Sequence, residues 1–275
     1  MNWNQLGYLC RLFSPLSNLT PAQKKQLSSA EHLRVYKAGQ HSSQLATKLS
    51  AQLIDNRCEH EQQRLALCYE QLPNAISTNG FKYGSRLSYL VFIFTAFIII
   101  SLIYQVFVIP SFSAVLSDYH AQLNNSLSDV AKFWYIFVSL QGMLLSLILL
   151  SVIRLSQIGN LLKAEPSSSF IDFIIPKKIR QQHSELIVIL EFPVNGASES
   201  ISFPEIEHLQ SCQLHGLDIS KEFVLLIKQK LAVFNQDAKR YLNKLITIFT
   251  ITLVIAIALF LKEAYRPIFA LGEII

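Results

Sequence analysis

The sequence predicts an all-α, polytopic membrane protein with three transmembrane helices and two small cytosolic helical domains. Three observations carry that expectation. The 275 residues are 51% hydrophobic and only 16% charged, with a mean hydropathy of +0.33, whereas soluble domains carry about 25% charged residues. This composition also excludes disorder and a fibrous repeat. The apolar excess is gathered in three blocks, 87–109, 133–153 and 245–261, none of which contains Asp, Glu, Lys or Arg. Charges alternate between the intervening segments. Residues 1–86 hold ten Lys or Arg, 110–132 hold only Lys132, 154–244 hold eleven, and 262–275 hold two.

Residues 1–86 read as a small cytosolic helical bundle. Thr20 followed by Pro21 is an N-cap with proline at the first helical position, and Gly39 is expected to close that helix after Ala38. A second helix is expected from about Ser43, with Leu45, Leu49 and Leu53 every four residues, and a third from about Arg57 to Leu72 before Pro73. Residues 74–86, rich in Asn, Ser and Gly, read as a connector. No apolar stretch follows the polar Met1-Asn2-Trp3-Asn4, so a secretory signal is not expected and the N-terminus should stay in the cytosol.

Blocks 87–109 and 133–153 are long enough as helices to cross a hydrocarbon core about 30 Å thick. Block 245–261 is shorter, but Lys262 can snorkel and Ala264-Tyr265 extend its apolar surface into the interface. Because positive residues stay on the cytoplasmic side, the N-terminus and residues 154–244 are placed inside. The 110–132 loop and the 262–275 tail are then periplasmic. In the second cytosolic segment the chain breaks at Pro166, and Leu186–Phe192 is an apolar run bounded by Pro193 and Gly196. Length alone does not separate a strand from a buried helix turn there. From Ser220 to Ala264 there is neither glycine nor proline, which predicts one helix of about 65 Å running into the third span.

The residues also narrow the function classes. The net charge of +5 is an excess of the first segment, beside an anionic leaflet, and neither Lys24-Lys25 nor Lys177-Lys178 is interleaved with aromatics, so no nucleic-acid partner is expected. Cys58 with His60 and Cys68, and His208 with Cys212 and His215, lack metal-site spacing and read as ordinary thiols and histidines; no metal or cofactor is expected. No phosphate loop, H-E-x-x-H or G-x-S-x-G occurs. Within the spans Gln105 and Gln141 are the largest polar side chains apart from tyrosine and tryptophan. They are expected to hydrogen-bond to neighbouring helices, and the lack of ionisable groups argues against transport.

Two stretches go further. The first span and its exit read Tyr89-Leu90, then Val106-Phe107-Val108-Ile109-Pro110-Ser111-Phe112 and Val115-Leu116-Ser117-Asp118-Tyr119. The C-terminus reads Tyr265-Arg266-Pro267-Ile268-Phe269-Ala270-Leu271-Gly272-Glu273. The first resembles the V-P-x-F exit and M-F-x-D-F continuation of the type II secretion F and type IV pilus PilC inner-membrane platform family, and the second is similar to that family's closing Y-L-P-I-F-x-L-G. Pro110 and Pro267 are expected to stop their helices just beyond a span, with Phe112 and Phe269 anchoring each exit at the interface. The chain departs from the family in its shorter cytosolic segments, the missing G-E-x-x-G, Leu90 after Tyr89, and Ile246-Thr247 where the family has Glu-Pro. It also lacks the family's glycines in the third span, and is thus similar to a shortened, divergent member.

The resemblance implies a non-enzymatic assembly platform in the bacterial inner membrane, for a type IV pilus or a type II secretion pseudopilus. Its implied partners are a hexameric secretion or pilus ATPase, pilins or pseudopilins, other inner-membrane assembly proteins, further copies of itself and the lipid bilayer. Tyr89, Pro110, Phe112, Tyr265, Pro267, Ile268, Phe269, Leu271 and Gly272 are the motif positions. A transporter or channel subunit, or a membrane scaffold or sensor unrelated to pili, are the alternatives.

Overall fold

The computed structural model describes residues 1–36, 42–55, 58–77, 84–111, 114, 126–159, 161, 174–196 and 203–274. Among them the secondary structure is helical, with no strand. The chain divides into two units, one of Met1–Phe81 with Ile153–Lys239 and one of Lys82–Val152 with Arg240–Ile275.

In the first unit Asn2 starts α1 (Trp3–Phe13) with a capping box: Gln5 N donates to Asn2 Oδ1 at 2.8 Å, and Asn2 N to Gln5 Oε1 at 2.9 Å. Trp3, Leu6, Leu9 and Cys10 fall at helical spacing and are buried. Thr20 caps α2 (Pro21–Leu27) with Pro21 in its first turn, as the sequence predicts. That helix does not continue to Ala38. The hydroxyl of Ser28 donates to the carbonyl of Lys25, and Ser29 is extended, so a new helix, α3 (Ala30–Val35), begins. A serine that bonds its own backbone loosens the end of so short a helix; Gly39 lies outside the described residues.

The leucine repeat is seen in α4 (Gln44–Asp55), where Leu45, Leu49 and Leu53 are sealed from solvent. Arg57 lies outside the described residues, and α5 (Glu59–Glu70) ends before Leu72. Pro73 sits in the first turn of α6 (Leu72–Ser77), where its missing N–H has no carbonyl to satisfy. The presumed connector therefore opens in a helix.

Residues 186–192 belong to α9 (Lys177–Asn195), which follows α7 (Gly84–Ile103) and α8 (Ser126–Gly159) in the chain. Pro193 stands inside that helix rather than bounding it, two residues before its end. Gly196, at φ 66°, closes the helix with its N–H on Phe192 O. The turn after α10 (Pro204–Leu214) uses Gly216 at φ 73° in the same way.

Residues of both cytosolic segments expected from the sequence, 1–86 and 154–244, share one core in this unit. Leu9, Leu45 and Leu72 from the first cluster with Leu190, Leu209 and Phe223 from the second. Tyr69 on α5 packs edge-to-face on Phe223 with ring centres 5.8 Å apart, and its hydroxyl donates to Leu190 O at 2.8 Å. Ser43 Oγ donates to Leu161 O at 2.6 Å. Together the two segments bury more apolar surface than either would alone. Pooled, each fully buried leucine stabilises the unit by about 2 kcal/mol.

The second unit is built from α7 (Gly84–Ile103), a π-helical turn (Tyr104–Val108), α8 (Ser126–Gly159, up to Val152) and the later part of α11 (Ile219–Ile274). Stretches Leu87–Ser111, Trp134–Gly159 and Ile219–Lys262 contain the three helices long and apolar enough to cross a bilayer. The chain is a multi-pass membrane protein. The apolar cluster at the centre of this unit is small: Leu90, Phe94, Phe97, Leu145, Ile148, Phe249, Leu253 and Ala256. Phe94 meets Phe249 edge-to-face at 5.9 Å, and Phe97 meets Phe260 at 6.0 Å. Aromatic edges thus make these interhelical contacts.

Candidate functional site

The exits of the first and third spans are joined. Tyr104 donates its hydroxyl to Ala264 O at 2.7 Å, and its ring packs edge-to-face on Phe260 at 5.3 Å. Tyr104 precedes the Val106–Phe112 motif by two residues, and Ala264 directly precedes Tyr265. The residues just before the two stretches that carry the family resemblance thus meet in the structure, although 160 residues separate the bonded pair.

The helix stop expected at Pro110 does not occur there. Helical backbone continues through Ser111, and the widened turn over Tyr104–Val108 lies just before the proline, with Ile109 N bonded to Tyr104 O. A π turn gives the proline ring the room it would otherwise take from the carbonyl four residues earlier. The stop expected at Pro267 is likewise absent, since α11 runs on through Ile274.

Tyr89 is 65% exposed and Tyr265 55% exposed, both outward on their helices, and Pro110 is exposed. Phe112 lies outside the described residues. Pro267, Ile268, Phe269, Leu271 and Gly272 have helical backbone, and their side chains lie outside the described residues. The structure therefore brings together the bases of the two motifs, not a ring of motif side chains.

Inside the membrane-spanning unit, Gln141 of α8 is buried. Its amide donates to Phe249 O at 3.1 Å, and its Oε1 accepts from Thr252 Oγ1 at 3.1 Å, both on α11. A glutamine in an apolar setting needs such partners, and here it takes them from a neighbouring helix, as its position predicts.

In the helical domain a charged seam binds α9 to α10 and α11. Lys230 Nζ lies 3.2 Å from Glu185 Oε2 and 2.6 Å from Glu205 Oε1, and Lys178 Nζ lies 2.8 Å from Asp237 Oδ2. Gln182 donates to the same Asp237 oxygen at 2.9 Å. Lys178 precedes Glu185 by seven residues and Lys230 precedes Asp237 by seven, so two antiparallel helices satisfy both pairs at once. Partial burial opposes ionisation of Glu205, and the hydrogen bond and charge of Lys230 outweigh it, holding the carboxyl below its usual range. Partial burial likewise opposes the charge of Lys230, and its two glutamates raise it above the usual lysine range.

Cys10, Cys68 and Cys212 are buried and Cys58 is exposed. Burial pushes the Cys68 thiol up to about 11, so at neutral pH it is a packed thiol and not a nucleophile. Cys212 Sγ stands 3.6 Å from His208 Nε2, while the His215 ring bonds Ser211 O at 2.7 Å. Among the described residues no three His, Cys, Asp or Glu gather as metal ligands. Sequence reasoning missed Tyr104 and the π turn. A lone tyrosine near a span end was a usable signal, because its hydroxyl must find a partner as the helix leaves the hydrocarbon. Searches for similar proteins found no matching family model, no curated relative and no similar solved structure.

Proposed function

We propose that the protein is a non-enzymatic assembly platform of the bacterial inner membrane, for a type IV pilus or a type II secretion pseudopilus. The N-terminus and the helical domain would face the cytosol, and the C-terminus the periplasm. The observation that supports this best is the Tyr104–Ala264 contact, which sets side by side the two stretches resembling the platform family. A second support is α11, which leaves the helical domain and enters the third span without a glycine or proline between Ser220 and Ala264.

In this reading the helical domain meets a hexameric secretion or pilus ATPase, and the membrane-spanning unit receives pilin or pseudopilin helices. Work done by the ATPase reaches the bilayer through the stiffness of α11. The chain itself hydrolyses nothing, and its chemistry is packing and hydrogen bonding. Gentle extraction of the tagged protein should co-purify the cognate ATPase or pilins, and a deletion strain should lack filaments. Failure to co-purify either partner, together with normal filaments, overturns the proposal.

A further inference from the structure

Polar side chains of the membrane-spanning unit find partners close at hand. The exposed hydroxyls of Thr95, Ser146 and Thr250 each donate to a carbonyl four residues back on their own helix. Tyr104 takes Ala264 O, and both ends of the Gln141 amide are bonded to α11. Gln105, half-buried in the π turn, differs: its side chain makes no hydrogen bond among the described residues. The neighbouring helix expected for it is therefore not one of those described in this chain. Its main chain is in the same position. Ile109 N bonds Tyr104 O and Pro110 has no N–H, so neither amide that ordinarily reaches a carbonyl four or five residues back is available to Gln105 O. Leu102 and Val106 near it are exposed. One residue thus presents two N–H donors and two carbonyl oxygens on an otherwise apolar stretch of membrane helix.

We infer that this set is filled by a second copy of the chain, the two Gln105 residues pairing across a two-fold axis. An amide in an apolar setting is costly to leave unpaired, and between membrane helices such groups act as the glue. Donors and acceptors match in number when the partner is the same residue. Each Nε2 gives one N–H to Oε1 of the other copy and one to its released Gln105 carbonyl, so no donor is left over. A lone serine or threonine on another membrane helix would leave part of the set unpaired. Copies inserted with the same topology bring their first spans together in parallel, which puts both Gln105 side chains at one depth. A patch that meets itself in this way is isologous and closes at a dimer. The inference is independent of the platform reading, because it rests on the hydrogen-bonding groups of one membrane helix.

The test uses the full chain, tagged with a donor or an acceptor fluorophore and reconstituted in phosphatidylcholine vesicles over a range of protein-to-lipid ratios. Energy transfer should report a dimer, and Gln105→Leu should weaken the association by about tenfold. Ser146→Ala removes an exposed hydroxyl already bonded within its own helix and should leave the association unchanged. Gln105→Glu should associate at acid pH, where the carboxyl keeps its proton, and separate at alkaline pH, where two like charges would meet. A cross-link gives a second readout. With the exposed Cys58 changed to serine, Gln105→Cys should join two copies under mild oxidation, whereas Ile136→Cys, exposed on α8, should not. Helix content by circular dichroism checks that Gln105→Leu folds, and if it does not, the cross-link decides. A monomer at every ratio would assign Gln105 to the helix of another protein, and full association of a folded Gln105→Leu would assign it to interfacial water. Either result overturns the inference, as does the absence of a cross-link through residue 105.

Discussion

In the helical domain Leu6, Leu9, Leu45 and Leu49 are sealed from solvent, whereas in the membrane-spanning unit Ile251, Val254 and Ile255 stand half exposed or more. Only 17%, 22% and 17% of the most apolar windows of the three spanning stretches is buried inside the protein. The same side chains obey different solvents. In water an apolar residue gains by leaving solvent, so two separate segments pool their leucines around Tyr69 and Phe223. In lipid that gain is absent, and the bundle is held by aromatic edges and by hydrogen bonds from Gln141 and Tyr104.

The largest expected effect lies in the pooled core. Tyr69→Ala should destabilise the helical domain by about 4 kcal/mol, since it opens a cavity between α5 and α11. Tyr69→Phe should cost about 1 kcal/mol through the bond to Leu190 O alone. Denaturant unfolding followed by the fluorescence of Trp3 measures both. Equal losses would mean that the ring contact with Phe223 contributes little.

Next is a backbone contact. A Cβ on Gly7 would come within 2.6 Å of Pro73 Cγ. Gly7→Ala should therefore cost about 2 kcal/mol by forcing α1 from α6, despite alanine's better helix propensity. Stabilisation by this substitution would show that the contact is loose.

The membrane-spanning unit should respond less. Gln141→Leu removes two hydrogen bonds to α11 without opening a large cavity, and should cost about 1 kcal/mol in thermal unfolding from detergent micelles. A loss as large as that of Tyr69→Ala would erase the contrast between the two regions. The smallest effect belongs to the charged seam. The lowered pKa of Glu205 contributes stability that is present above the ordinary glutamate value of 4.5 and lost as pH falls through the lowered one. The raised pKa of Lys230 contributes below 10.5 and is lost as pH rises through the raised value. Glu205→Gln should flatten the acid limb of a stability–pH curve, at a cost below about 1 kcal/mol near neutrality.

Much of the architecture is legible in the residues. The uncharged blocks fix the three spans, Thr20-Pro21 fixes a helix start, and the long interval without glycine or proline fixes α11. What escapes is decided by contacts distant in sequence. Whether 1–86 and 154–244 make one core or two depends on Tyr69 finding Leu190 and Phe223, which no local pattern reveals. Prolines mislead for a related reason. Pro73, Pro193, Pro110 and Pro267 all lie within helical backbone, and a first turn at Pro73 and a π turn before Pro110 remove the penalty that a helix interior imposes. The motif residues are readable as a pattern, but the Tyr104 contact that brings the two stretches together lies outside them.

Topology mapping bears most directly on the account. Three spans put the chain's ends on opposite faces of the membrane, with the shared core on the same side as the N-terminus. Reporter fusions at Glu59 and Cys212 should give one signal, and fusions at His120 and Ile275 the opposite one. A signal at Ile275 matching that at Cys212 would remove the third span, and different signals at Glu59 and Cys212 would contradict the single core.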